Sequence, residues 1–146
     1  MSTLIPFTSD EQVVAIGRGL VARTLPKPEW THRAHFAAAL WLIEECAPGE
    51  AERMLPSLIR AYNEATGTAN TDTSGYHETI TQASLRAARA FRAERADLPL
   101  FAVCNELMAS PLGRSDWILV HWSRERLFSV EARRVWVAPD LLSLPF

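Results

Sequence analysis

Long apolar runs are missing from this chain, and lysine and cysteine are nearly so. No stretch approaches the roughly 18–20 apolar residues that span a membrane, so no membrane partner is expected. Cys46 and Cys104 are the two cysteines. They lie far apart inside apolar helical patterns, which excludes a disulfide framework or zinc knuckle and suits buried free thiols in a reducing compartment. Lys27 is the sole lysine, so the cationic charge is almost wholly arginine. Arginine can grip anions bidentately, but so global a skew more simply reflects genome base composition. A net charge of −2 leaves no broad basic face for a nucleic acid. The opening Met1-Ser2-Thr3-Leu4-Ile5-Pro6-Phe7 has no basic stretch followed by an apolar core, so no leader peptide is expected and the location is read as cytoplasmic. Gly-rich phosphate loops, internal repeats and a Gly-x-Ser-x-Gly elbow are absent as well.

What remains is helical periodicity over a chain of 146 residues, enough for one ordinary domain. Ser9 can cap a first helix with Asp10 and Glu11 in its first turn. Thr31 can cap a second, running to about Cys46, where Pro48-Gly49 closes it. A third pattern covers about 50–66, with Pro56 expected to kink or restart it. A fourth covers about 74–96. A fifth carries Leu100, Cys104, Leu107 and Met108, and a sixth, shorter one opens at Ser115-Asp116. Helical turns are read over 124–127 and 130–137, then an irregular tail over 138–146. Alternation of period two is confined to a weak Val135-Trp136-Val137 run. The expected fold is an all-α, single-domain helical bundle of about four main helices plus short C-terminal helices.

Four histidines hold the chemistry. At 100° per residue, His32, His35, Phe36, Ala39, Ile43 and Cys46 share one face of the second helix. The fourth helix places His77 on a stripe with Ile80, Thr81, Ser84, Ala88 and Phe91, and turns Glu78 toward the rim. His121 shares a stripe with Trp117 and Val120. Several imidazoles pointing inward would suit a transition metal, Zn, Fe, Mn or Ni, with His32, His35, His77 and His121 as ligands. Glu78 would serve as general base beside His77. Each residue also has a plainer reading: hydrogen-bonded core histidines, and a first-turn carboxylate favoured by the helix dipole. His-Glu-x-x-His is absent, since Thr81 stands four after His77.

Tyr62, Asn63, Asn70, Thr71, Ser74 and Tyr76 lie on or beside the polar loop that feeds His77. They are candidate substrate contacts, although such residues ordinarily cap helices and close turns. Arg124 and Arg126 could clamp an anionic group, with pairing to Glu125, Glu131 or Asp140 the plainer use.

Three blocks, Trp30-Thr31-His32-Arg33-Ala34-His35, the stretch from Tyr62 to Thr79, and Ser123-Arg124-Glu125-Arg126-Leu127, together resemble a family of small bacterial proteins of unassigned function, over residues 28–142. More loosely, a helical bundle with inward histidines is similar to the DinB/YfiT-like metalloenzymes. That resemblance implies three histidine ligands on a four-helix bundle, two of them at i, i+4; here the pair is at i, i+3. The leading expectation is a metal-dependent enzyme acting through metal-activated water on a small polar or anionic molecule. The alternatives are a metal-free small-molecule-binding module, or a helical interaction protein, such as a homodimer, whose five tryptophans serve an interface.

Overall fold

A computed structural model describes residues 4–146, so Met1, Ser2 and Thr3, part of the stretch read for a leader, lie outside it. The described residues are helical and loop, without strands, as the all-α expectation requires. Five longer helices, α1 (Asp10–Ala22), α2 (His32–Glu45), α3 (Glu50–Ala65), α4 (Glu78–Ala93) and α5 (Leu100–Ala109), are followed by two short ones, α6 (Arg124–Leu127) and α7 (Val130–Arg134). Three 3-10 turns, at Lys27–Glu29, Pro111–Gly113 and Trp117–Val120, fill the connections. No helix among the described residues is long and apolar enough to cross a membrane.

The central element is α2. Its run Phe36-Ala37-Ala38-Ala39-Leu40 is buried all round rather than on one stripe. Small alanine side chains let other helices approach from several sides, and α1, α3, α4 and α5 all touch it. One apolar core results, continuous from Phe7 to Val137. Thr31 caps α2 as expected, accepting the Ala34 amide through Oγ1 at 3.3 Å. Ser9 takes the corresponding place before α1 without a side-chain cap, and Asp10 serves another helix instead. Its carboxylate accepts the Phe101 amide at 2.9 Å, at the start of α5, where the Pro99 side chain has no acceptor to cap the helix.

Pro56 sits inside α3 without dividing it. A proline there has no N–H for the carbonyl four residues back, which belongs to Glu52. Gln82 of α4 supplies the missing donor, its Nε2 reaching that carbonyl at 3.1 Å. The expected restart is therefore unnecessary.

The Val135–Val137 run, weakly strand-like in sequence, crosses α4 as an extended strap with no neighbouring strand. Buried side chains take over its backbone pairing. The Thr79 hydroxyl donates to Val135 O at 3.0 Å and accepts the Val137 amide at 3.1 Å. The Trp122 indole donates to Val137 O at 3.1 Å. The tail beyond is irregular: its main chain is held at His121 and Arg126, and the Asp140 carboxylate accepts from the Ser123 amide and hydroxyl.

Candidate functional site

Helix α4 begins one residue after His77, not at Ser74. His77 is its N-cap, in extended conformation, and its ring turns back onto the helix end. Nδ1 accepts the Ile80 amide at 3.1 Å, while Nε2 donates to Leu127 O at 2.6 Å. Both ring nitrogens are thus engaged, and burial, more than anything else, holds the pKa below the ordinary histidine value. The expectation that His77 joins a cluster of metal-ligating imidazoles is corrected on this ground. Its lone pair already closes a helix terminus.

The remaining histidines divide between two places. His32 and His35 line one cavity of about 290 Å³, with Phe36 beside them, Ile80 and Ser84 from α4, and Ser115, Trp117 and Ile118 from across the fold. His121 lies in a different cleft. Among the described residues no three His, Cys, Asp or Glu side chains are placed to hold one metal ion. The four-histidine centre expected from the sequence is therefore not assembled. Only the pair at i, i+3 converges.

In each of these two rings one nitrogen faces a main-chain carbonyl. His32 Nε2 donates to Leu112 O at 2.8 Å. His35 Nδ1 donates to Thr31 O at 2.7 Å, one turn back on its own helix. A main-chain carbonyl can only accept, so each ring must carry its proton on the nitrogen that faces it. In the neutral ring the other nitrogen, Nδ1 of His32 and Nε2 of His35, keeps an uncommitted lone pair. Dense surrounding protein pushes the His35 pKa down, to about 4, against the Thr31 hydrogen bond that opposes it. His35 is exposed to solvent as well as packed against protein, and the shift runs toward the neutral imidazole.

Rigid neighbours hold both rings. Trp30 stacks on His35 with centroids 3.8 Å apart, and Phe36 meets His32 edge-on at 5.2 Å. The Leu112 carbonyl that anchors His32 belongs to the 3-10 turn after α5. That turn needs glycine: a Cβ on Gly113 would lie 1.9 Å from Met108 O.

Glu78 does not reach this cavity. Its carboxylate accepts the Tyr76 hydroxyl, and it stands in the first turn of α4, where the helix dipole favours it. The base role assigned to it beside a His77 metal site loses its setting. Tyr62 is fully buried and donates to Leu25 O at 2.8 Å. Asn63, also buried, donates to Asn70 Oδ1, and the Ser74 hydroxyl donates to Ala69 O. Arg126 donates to Ala138 O, and Arg124 is exposed. None of these residues borders the histidine cavity. Asn70, Thr71 and Tyr76 border a separate, arginine-lined hollow instead.

A larger cleft, about 670 Å³, adjoins the histidine cavity and shares Trp117 with it. Its walls are mostly apolar, Phe91, Leu112, Leu119 and Val120 among them, and Phe146 lies across it with ring centroid 6.5 Å from Trp117. His121 lines it and donates through Nδ1 to Leu142 O at 2.9 Å. Size favours the larger cleft, whereas chemistry favours the smaller, which two histidines line. Ser84, Ser115 and Trp117 were not singled out as site residues from sequence. Ser84 was legible on the α4 stripe, but Ser115 and Trp117 arrive only through the turns after α5. No protein-family model, curated protein or solved structure matches this chain.

Proposed function

We propose that the protein binds a small molecule in the cavity between α2 and α4, recognising it through the imidazoles of His32 and His35. The carrying observation is the pair of carbonyl-locked tautomers. His32 and His35 each keep one nitrogen free of protein partners, and both residues line a hollow whose other walls are serines, isoleucines and aromatic rings. A ligand with two hydrogen-bond donors on a compact body fits that lining, in a volume at the small end of the roughly 300–1,000 Å³ usual for ligand pockets. The Ser84 and Ser115 hydroxyls add groups that can donate or accept. The same lone pairs suit a general base, provided the bound molecule has a proton to lose at that place.

A second reading draws on the same carbonyl contacts, because metal-bound imidazoles are usually oriented in this way. A Zn, Fe, Mn or Ni ion would find two nitrogen ligands here and would need the rest of its sphere from ligand or water.

Imidazole-detected nitrogen NMR tests the carrying observation directly, with Nδ1–H expected for His35 and Nε2–H for His32. A panel of small amides, alcohols and amines, followed by amide shifts, should perturb Ser84, Ser115 and the Trp117 indole together. His35→Ala should abolish that response and His121→Ala should leave it. Titration with Zn²⁺ separates the readings: one site lost in His32→Ala, yet kept in His77→Asn, would favour the metal. Reversed tautomers, or a panel response indifferent to His35, would overturn the proposal.

A further inference from the structure

Away from the histidine cavity, the end of α3, the loop before α4 and α7 surround a hollow of about 160 Å³. It shares no lining residue with the histidine cavity. Three guanidinium groups line it, Arg60, Arg133 and Arg134, against one carboxylate, Asp72. That pairing leaves a formal excess of two positive charges around a space the size of one small anion. In a chain whose net charge is −2, so local a surplus is not a consequence of composition.

The three arginines are committed to different degrees. Arg134 pairs bidentately with Asp72, Nε to Oδ1 at 2.8 Å and Nη2 to Oδ2 at 2.6 Å, and this contact holds the Asp72 carboxyl below its usual range. Arg133 donates through Nη1 to Gly75 O at 3.0 Å and Tyr76 O at 3.3 Å, which fixes the guanidinium and leaves its other nitrogens unengaged. Arg60 lies over the Tyr76 ring, 4.5 Å from its centroid. Among the described residues neither Arg60 nor Arg133 has a carboxylate within salt-bridge distance.

The loop that carries Tyr76 is built to hold this arrangement still. Asn70 Nδ2 donates to the carbonyl of Arg60 itself at 3.0 Å, while its Oδ1 accepts from Asn63 Nδ2 and from the Tyr76 amide, each at 3.0 Å. Gly75 allows the tight return, with φ of 79° and a would-be Cβ only 2.4 Å from Ala69 O. Guanidiniums already ordered by protein contacts lose less freedom when they bind an anion.

We infer that this hollow is a phosphate-class anion site, in which Arg60 and Arg133 supply the charge and Arg134 is released from Asp72 to join them. Planar forks of N–H donors match the oxygen geometry of phosphate. A doubly charged tetrahedral group neutralises the surplus that the walls carry. The volume admits the headgroup alone, so any organic remainder of a phosphomonoester would extend into solvent.

Isothermal titration of the full chain with inorganic phosphate at low ionic strength tests the site, alongside phenyl phosphate as the phosphomonoester arm. The expected result is saturable binding, with amide shifts confined to residues 70–76 and 133–134. Arg60→Ala should weaken it at least tenfold. Asp72→Asn, at an exposed pair, should strengthen it at least threefold by freeing Arg134. Tighter phenyl phosphate binding marks a headgroup site and equal binding a free-phosphate site; both support the inference. Non-saturating shifts spread over surface arginines, or weaker binding in Asp72→Asn, would overturn it. Should Arg60→Ala fail to fold by circular dichroism, the sign of the Asp72→Asn effect decides.

Discussion

At His77 the two ring nitrogens divide their work, one closing the first turn of α4 and the other holding Leu127 O across fifty residues of chain. Loss of a cap costs about 1 kcal/mol, and a buried carbonyl left without its donor costs about 1–3 kcal/mol. His77→Ala should therefore destabilise the fold by about 2–4 kcal/mol in urea denaturation. His77→Asn, whose side chain can cap but cannot extend to Leu127, should recover about 1 kcal/mol of that. Equal stability of the two variants would show that the cap contributes nothing. His32 and His35 differ from His77 in one respect: a single nitrogen of each is tied to a carbonyl, and the second has no protein partner.

Among the elements, α3 and α4 are joined by a repair. Pro56 removes a donor, Gln82 replaces it at Glu52 O, and the Glu52 carboxylate is gripped by Arg89 of the same partner helix. The two helices thus compensate one another around a residue that would ordinarily break α3. In a double-mutant cycle, Gln82→Ala should cost about 1 kcal/mol in the natural background. Beside Pro56→Ala, which restores the intrahelical N–H, the same change should cost less than half as much. Identical costs in both backgrounds would mean that Gln82 does not stand in for the missing amide. A comparable substitution of side chain for backbone operates at the strap over α4, where Thr79 and Trp122 replace an absent strand.

For the whole molecule, two imidazoles, His77 in the core and the more exposed His35, shape the response to acid. His35 and His77 are both held below the ordinary histidine value, chiefly by burial. Such a group takes up its proton more readily in the unfolded chain, so its contribution is complete above the unfolded value of 6.5 and is lost as pH falls toward the folded one, about 4 for His35. Stability should hold between pH 8 and 7 and decline from 6.5 to 4. The slope from each group stays below about 1.4 kcal/mol per pH unit, and the His35 share is reduced further because solvent touches its ring. Asp72, Asp116 and Asp140, whose values are lowered from 3.8 by their partners, enter only in stronger acid. Urea midpoints across this window should flatten in His35→Gln. A natural protein that gains stability on acidification would contradict the account.

Much of the architecture was legible because it is local. Helical periodicity, the Thr31 cap, the helical turn at 124–127 and the proline–glycine breaks each act within a few residues, and the all-α fold follows from them, although the turn expected over 130–137 stops at Arg134. The i, i+3 spacing likewise put His32 and His35 side by side without reference to the rest of the chain. The fate of each imidazole nitrogen was not legible, since the deciding carbonyls, Leu112 for His32 and Leu127 for His77, lie 80 and 50 residues away. Nor was the arginine hollow, in which Arg60 meets Arg133 only once α7 has packed near α3 and the loop. Sequence alone determined which helices form and which histidines neighbour one another, because short-range backbone bonding and side-chain periodicity suffice for that. Tertiary structure alone decided which lone pairs remain free and which cations go unpaired, because both depend on partners that only the packed fold brings within about 3 Å.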